Sequence, residues 1–325
     1  MATALATLMS LPVVPIVNDA TPVVPLDRLA AVLGSGCPRL LMKRDDLLPF
    51  GLGGNKVRKM QTVAAEAMAA GADTLITCGG LQSNHARVTA ATGAALGLRV
   101  ELVLNGAAPS TPAGNTRLDE LFGATMNYVA TREERAPAME ALAERLRAAG
   151  RKPFIVPLGA STATGAMGFA TGIAELAAAR IKPDAIVHAT SSGGTQTGLI
   201  AGCALFGVRT RIIGISADDP AVALQVVITR LLTAVADRLG AKPASIGAED
   251  PIDVDDTQVG GGYGVPTDAS IEAQTLVARR EGILLDPVYT AKAMAGLIAR
   301  IRAGAFTKDQ TVLFWHTGGV PGYFA

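Results

Sequence analysis

The chain has 325 residues, with 29 lysines and arginines against 28 aspartates and glutamates, and 49% of its residues are apolar. This length is typical of two domains or of one large α/β unit, and the apolar content argues against intrinsic disorder. A net charge of +1 argues against a nucleic-acid partner, because proteins that bind phosphate backbones usually carry a basic excess. Cys37, Cys78 and Cys203 are odd in number and widely spaced, which argues against a disulfide framework.

The first 17 residues are apolar, but no basic residue precedes them, so they lack the pattern of a secretory signal and are predicted to form an ordinary N-terminal arm. A run of about 18 apolar residues without charged or Gly/Pro interruptions does not occur in the sequence, which argues against a membrane partner. Together with the cysteines, these features predict a cytoplasmic protein.

Short apolar runs alternate with Ala-rich helical runs along the chain. The strand-like runs are 75–80, 99–106, 154–161, 184–194 and 211–219, and the helical runs are 82–97, 131–150, 163–180 and 195–207. Apolar strands that do not alternate, separated by helices, indicate parallel βαβ units. The predicted fold class is α/β with open, mostly parallel sheets, in which ligands bind beyond the carboxyl ends of the strands. Segment 247–266 is predicted to be a loop near the site, with a plain surface linker as the alternative.

The first junction that could carry chemistry is 50–72, where a glycine-rich turn leads into a helical run. The glycines of 51–54 allow a sharp turn, Asn55 suits an N-cap, and Lys56 follows at the first helical position. The positive end of a helix favours the neutral amine, as a Schiff-base lysine or general base requires. A surface role for Lys56 is the alternative. Arg58 and Lys59 are expected to face solvent or to bind phosphate without specificity, and Lys43 is a second candidate lysine.

The second junction is 78–90, where a strand ends in Gly-Gly and a helix opens on Gln82, Ser83, Asn84 and His85. Backbone N–H groups and the Ser83 hydroxyl suit a carboxylate or phosphate, and Asn84 can donate to a phenolate-like oxygen. Simple N-capping by Ser83 or Asn84 is the alternative.

The third junction is 189–202, and its small polar residues are Ser191, Ser192, Gly193, Gly194 and Thr195. Hydroxyls and N–H groups at a helix start predict a phosphate-binding turn. A dinucleotide site is the alternative, because Asp218 follows at a suitable interval, but the glycine spacing does not match G-x-G-x-x-G. The histidines lack metal-ligand spacing, so no metal site is predicted.

One carboxylate cradle, one phosphate cradle and one lysine at a glycine-rich helix start suggest pyridoxal phosphate. Five segments carry a further signal: KRDDLLPFGLGGNKVRK (43–59), GGLQSNHARVTAA (79–91), YGVPTD (263–268), EGILLDPVYTAKAMAGL (281–297) and HTGGVPG (316–322). Through them the chain, from about Thr21 onward, resembles the D-cysteine desulfhydrase and 1-aminocyclopropane-1-carboxylate (ACC) deaminase family of tryptophan-synthase-β-like enzymes. The resemblance implies a fold-type II pyridoxal-phosphate enzyme acting on a small amino acid.

The resemblance also implies roles for individual residues. Lys56 would form the Schiff base with the cofactor and act as the base at Cα, and Ser83 would bind the substrate carboxylate. Tyr263 and Tyr289 would approach the substrate side chain as further catalytic residues. The implied substrate-binding helpers are the backbone N–H groups of Gln82 and His85. The implied cofactor-binding residues, besides Lys56, are Asn84, Ser192, Gly193, Gly194, Thr195, Thr290 and Thr317.

Thr290 separates two branches of the family. ACC deaminases have a glutamate after the DPVY tyrosine, and the threonine here implies a weaker electron sink, which favours β-elimination of D-cysteine to pyruvate, ammonia and sulfide. The alternatives are ACC deamination to 2-oxobutanoate and ammonia, an L-cysteate sulfo-lyase, and a binding protein without turnover. The altered segment 159–162 borders the substrate by resemblance, and the sequence reveals no extra cation for a sulfonate.

The resemblance implies a homodimer and two domains. A small domain, 46–157, would carry Lys56 and Ser83, and a large domain, 1–45 with 158–325, would carry the phosphate turn and both tyrosines. The cofactor would lie between them.

Overall fold

The computed structural model describes residues 1–17 and 19–325. The strands are β1 (Val23–Pro25), β2 (Arg39–Arg44), β3 (Thr74–Gly80), β4 (Arg99–Asn105), β5 (Thr125–Val129), β6 (Pro153–Ile155), β7 (Ala185–Thr190), β8 (Arg211–Ser216), β9 (Asp253–Asp255) and β10 (Thr311–His316). The helices are α1 (Ala2–Met9), α2 (Asp27–Leu33), α3 (Asn55–Ala69), α4 (Asn84–Leu96), α5 (Gly114–Leu121), α6 (Arg135–Ala148), α7 (Ala163–Ala178), α8 (Gly194–Phe206), α9 (Ala221–Leu239), α10 (Asp268–Glu281) and α11 (Thr290–Arg302).

The strands form two sheets. One has the order β1-β2-β10-β7-β8-β9 and is parallel except for the antiparallel pair β1–β2. The other has the order β5-β4-β3-β6 and is entirely parallel. The predicted α/β class with mostly parallel sheets is therefore confirmed.

Helices cover both faces of each sheet, which explains why the central strands are continuously apolar. Strand β7, AIVHAT, is buried at every position. Helices α2, α10 and α11 pack on one face of the larger sheet, and α7 and α8 pack on the other. In the smaller sheet, α3 and α4 cover one face and α6 covers the other.

Three sequence expectations about local structure need correction. The strand-like run 154–161 ends at Ile155, because Pro157 and the left-handed backbone of Gly159 and Ala160 turn the chain into a short 3-10 segment. The predicted N-terminal arm contains α1, whose apolar residues pack against α9. The predicted loop 247–266 contains β9, a polar edge strand whose aspartates pair with Arg211 and Arg300.

Across the described residues, the helices are too short or too polar to cross a membrane.

Candidate active site

A cavity of about 220 Å³ lies at the carboxyl ends of β3 and β7, at the starts of α3, α4 and α8. The three junctions singled out in the sequence therefore meet at one place. The sequence-predicted residues that line it are Lys56, Ser83, Asn84, His85, Ser192, Gly193, Thr195, Tyr263, Tyr289 and Thr317.

Three predicted residues do not line the cavity. The Gln82 side chain bridges to the next loop, donating to the Ala113 carbonyl and accepting from the Asn115 N–H. Gly194 lies just inside α8, where its N–H donates to Ser161 Oγ. Thr290 is fully buried, and its hydroxyl donates to Asp286 Oδ1 at 2.6 Å. Their proposed contacts with cofactor or substrate stay predictions.

A tight approach of two chain segments sets the start of α3. Helix α3 begins at Asn55 after Gly54, so the predicted N-cap is displaced by one residue and Lys56 is the second helical residue. Gly54 has φ +98°, and a Cβ there would lie 2.8 Å from the Thr317 carbonyl oxygen. Asn55 does not cap the helix: its side-chain amide nitrogen, Nδ2, donates to Thr195 Oγ1 at 2.8 Å, which links α3 to the start of α8.

The Lys56 amine is chemically unusual for a lysine. Burial and the nearby charge of Arg87 lower its pKa to about 8, while Asp286 opposes the shift. Its Nζ lies 3.1 Å from Asn55 Oδ1. The uncharged fraction of this amine near neutral pH is therefore much larger than that of an ordinary lysine with a pKa of 10.5, and the uncharged form is the one that a nucleophile or general base requires.

The start of α4 combines capping with a free donor. Ser83 is the N-cap, and its Oγ accepts from the Ala86 N–H at 3.2 Å, so the capping interpretation is correct for this residue. Its hydroxyl hydrogen remains available to a ligand. Asn84 Oδ1 accepts from Arg87 and from Asn115, which leaves the Asn84 amide nitrogen to donate into the cavity.

The start of α8 is surrounded by small polar groups. Ser161 Oγ lies 2.8 Å from Ser192 Oγ and accepts from the Gly194 N–H at 3.3 Å. Lys59 is buried rather than solvent-facing, and its Nζ donates to Ser161 Oγ and to the Gly159 carbonyl. Burial and the charge of Lys56 hold the Lys59 pKa well below its usual range, a state that an incoming anion would relieve.

The two predicted tyrosines form a pair. Tyr263 and Tyr289 have their hydroxyl oxygens 2.8 Å apart and their rings edge-to-face at a centroid distance of 5.8 Å. Tyr263 is 42% exposed, but partial desolvation still raises its pKa, whereas burial and the neighbouring phenol raise the pKa of Tyr289 well above its usual value. Both side chains are therefore neutral near neutral pH and keep their hydroxyl hydrogens for hydrogen bonding.

Arg132 and Arg135 also line this cavity, although no sequence motif singled them out. The sequence predicted only a helical run over 131–150, without a functional role for either arginine. Arg135 is the first residue of α6, and its Nε donates to the Arg132 carbonyl. A cation in the first turn of a helix is unfavourable, so this placement was a usable signal for a functional role.

Residues 16–318 match the family described as "Pyridoxal-phosphate dependent enzyme". The chain belongs to this family. It is 38% identical over 318 residues to "D-cysteine desulfhydrase" of Salmonella choleraesuis (strain SC-B67), covering 95% of this chain and 94% of the relative. The same figures hold for the protein of that name in Salmonella newport (strain SL254).

Solved structures agree with this assignment. An "ACC deaminase homologue" superposes with a TM-score of 0.91 at 34% identity, covering 100% of this chain and 97% of that one. A threonine deaminase isoform 2 from Solanum lycopersicum has a TM-score of 0.71 at 17% identity, covering 98% of this chain and 84% of the other, and shows the shared fold alone. The predicted family resemblance and fold type are confirmed.

The cavity fits pyridoxal phosphate. Two buried polar atoms of lining residues, Thr190 Oγ1 and His85 Nδ1, have no hydrogen-bond partner within 1–17 and 19–325, which suits a polar ligand. The N-terminus of α8, with Ser192 and Thr195, would hold a phosphate. The Lys56 amine would bind covalently to the carbonyl carbon of pyridoxal phosphate.

Proposed function

We propose that this chain catalyses the pyridoxal-phosphate-dependent β-elimination of D-cysteine, or of a related β-substituted alanine, to pyruvate, ammonia and sulfide. One observation carries the proposal: the Lys56 amine, with a pKa of about 8, lines the same cavity as the Tyr263–Tyr289 pair. β-Elimination needs a base at Cα, and hydrogen bonds to the leaving group assist it; Lys56 supplies the base and the tyrosine hydroxyls supply the hydrogen-bond donor. The name of the Salmonella relatives supports the same substrate.

Pyridoxal phosphate, when bound, withdraws electrons from Cα of the amino acid. The chain's residues have the remaining tasks. The Ser83 hydroxyl and the N–H groups at the start of α4 bind the carboxylate and so orient the Cα–H bond. Lys56 accepts the Cα proton, and the Tyr263–Tyr289 pair donates a hydrogen bond to the sulfur, which leaves with its own hydrogen as hydrosulfide. The Cα–H and Cβ–S bonds break, and water supplies the keto oxygen as ammonia leaves.

The surroundings of Thr290 support elimination over ACC ring opening. The Asp286 carboxylate accepts hydrogen bonds from the Thr290 hydroxyl and from the N–H groups of Tyr289 and Thr290. Position 290 thus offers a hydroxyl that is already engaged, not an acid that could protonate a ring nitrogen. ACC has no Cα proton and demands more electron withdrawal from the cofactor, whereas β-elimination tolerates less.

Arg132 and Arg135 favour a second candidate, the elimination of sulfite from L-cysteate. The charge of Arg132 is partly neutralised by two aspartates, because its guanidinium lies 3.3 Å from Asp219 and 3.8 Å from Asp218. Arg135 uses its Nε on a carbonyl, and its guanidinium borders the cavity. These residues supply the cation for a sulfonate that the sequence did not reveal.

Pyruvate release from D-cysteine, L-cysteine, L-cysteate and ACC tests both candidates. We expect D-cysteine to react fastest and Lys56→Ala to lose about 10³-fold or more in kcat, while Ser83→Ala mainly raises KM. Arg135→Ala is expected to impair only L-cysteate, with Arg147→Ala, exposed on the same helix, as the control. Turnover of ACC alone, or normal turnover by Lys56→Ala, would contradict the proposal.

We also propose the division into a small domain, 46–157, and a large domain, 1–45 with 158–325. The support is that the strands of the smaller sheet all lie between Thr74 and Ile155. A homodimer is proposed from the resemblance and from Val222 and Val226, which are 71% and 64% exposed on one face of α9. A cytoplasmic location is proposed because Cys37, Cys78 and Cys203 are free thiols.

A further inference from the structure

A buried lysine lies on the helix that begins beside the tyrosine pair. Lys292 is in the first turn of α11, and its side chain is 0% exposed. Its Nζ donates to the carbonyl oxygens of Ala217 at 3.2 Å, Val259 at 2.8 Å and Gly262 at 2.8 Å. An ammonium group has three donors, so main-chain carbonyls engage all of them.

The three carbonyls belong to two different parts of the chain. Ala217 directly follows β8, whereas Val259 and Gly262 lie in the turn that directly precedes Tyr263. This turn contains three consecutive glycines, 260–262, and a local hydrogen bond from the Gly262 N–H to the Val259 carbonyl. A glycine-rich turn has many accessible conformations, and the Lys292 contacts limit them.

Burial lowers the pKa of Lys292, and the charge of Asp218 opposes that shift. Burying an ammonium group among neutral carbonyls costs desolvation free energy. A well-packed apolar side chain at the same position is often at least as stabilising. The placement therefore indicates a role other than stability. Tyr289 directly precedes α11 and Tyr263 directly follows Gly262, so this one side chain joins the segments that carry both tyrosines.

We propose that Lys292 is a positioning residue for Tyr263. Its ammonium fixes the turn 259–262 against the start of α11 and the end of β8. This contact thereby sets the Tyr263 hydroxyl 2.8 Å from that of Tyr289. The inference rests on the proposed function only for what the tyrosine pair does to the substrate.

Lys292→Met removes the ammonium and keeps a side chain of similar length. We expect amide hydrogen exchange in 259–265 to accelerate about tenfold or more, because the turn loses its anchor. Lys292→Arg should give an intermediate rate. Lys43→Met is the matched control: Lys43 is also buried, but it pairs with Glu175, so its loss should leave exchange in 259–265 unchanged. Unchanged exchange in Lys292→Met would overturn the proposal.

A double-mutant cycle separates positioning from a merely structural role. With whichever substrate the enzyme turns over best, Lys292→Met should lower kcat about tenfold in the wild-type background and far less in a Tyr263→Phe background. The cofactor absorbance should be the same in all four proteins. Additive losses would overturn the proposal, and Lys292→Arg replaces Lys292→Met in the cycle if the latter does not fold. The exchange measurement needs no substrate, so its result is independent of activity toward D-cysteine.

Discussion

Lys56 shows how a common residue acquires an uncommon reactivity. Its amine lies near Arg87, which is itself buried and donates to the Gly51 and Gly53 carbonyls and to Asn84. The same arginine therefore shapes the turn before α3 and places a positive charge near the amine. Burial and this charge both disfavour the ammonium form, which is why the pKa falls to about 8.

The capture of pyridoxal phosphate by the apoenzyme should follow the ionisation of Lys56. The neutral amine is the reactive form, so the rate should rise with pH and level off above about 8. Stopped-flow absorbance between about pH 6 and 10 measures this directly. Lys56→Ala is the control without covalent capture, and Arg87→Gln should move the midpoint upward. A midpoint near the ordinary lysine value of 10.5 would contradict the expectation.

The burial of Arg58 and Lys59 could not be predicted from their residue types. Both were expected to face solvent or to bind phosphate without specificity, because lysine and arginine are rarely buried unless paired. The structure buries both: Arg58 pairs with Asp45 and Glu175, and Lys59 contacts Ser161. Their partners are distant in sequence, so no local pattern announced them.

At the scale of elements, a buried ionic cluster holds α3 against the larger sheet. Arg58 of α3 donates to Asp45, which follows β2, and to Glu175 of α7, while Trp315 of β10 donates to the same aspartate at 2.8 Å. Close packing helps, because a Cβ at Gly168 of α7 would lie 2.6 Å from the Arg58 carbonyl oxygen. Because Lys56 lies two residues before Arg58 on α3, these contacts also fix the position of Lys56.

Asp45→Asn should destabilise the protein by about 3–5 kcal/mol, because it leaves Arg58 buried with an incomplete partner. Burial alone would raise the pKa of Asp45, but the charge and hydrogen bonds of Arg58 outweigh it and lower the pKa. The stabilisation is therefore complete above the unfolded value of about 3.9 and is lost as the pH falls through the lower folded value.

Urea unfolding of Asp45→Asn between about pH 3 and 7 measures both effects. The variant should lose stability at neutral pH and show a weaker dependence on acid than the wild type. Glu272→Gln, which breaks an exposed pair with Arg302, should change little. Equal losses in the two variants would show that the buried cluster has no special role.

At the scale of the whole molecule, the cavity belongs to neither sheet alone. Lys56 lies in α3, which precedes β3 of the smaller sheet, and Ser83 follows β3. Ser192, in contrast, follows β7 of the larger sheet. Arg132, after β5, reaches Asp219, after β8, at 3.3 Å. A ligand that contacts residues from both sheets would link the smaller sheet to the larger one.

Removal of pyridoxal phosphate should therefore lower the thermal stability of the whole chain. A ligand at 100 times its Kd stabilises the native state by about 2.7 kcal/mol, and a covalent bond to Lys56 adds to this. Calorimetry of apoenzyme and holoenzyme should show a Tm difference of about 2 °C or more. Lys56→Ala should show a smaller shift, since only the non-covalent contacts remain. Equal Tm values with and without cofactor would contradict a site shared by both sheets.

Local sequence order is enough to predict the buried parallel strands, the helices that open on glycine and small polar residues, and the order of motifs that identifies the family. These depend on periodicity and on residues adjacent in the chain. The folded arrangement, by contrast, sets which side chains share one environment. It removed Gln82 and Thr290 from the cavity wall, added Arg132 and Arg135, and placed Lys292 under the Tyr263 turn. The physical reason is that burial, charge proximity and shared hydrogen bonds arise between residues far apart in sequence, and those interactions set the pKa of Lys56 and the pairing of the two tyrosines.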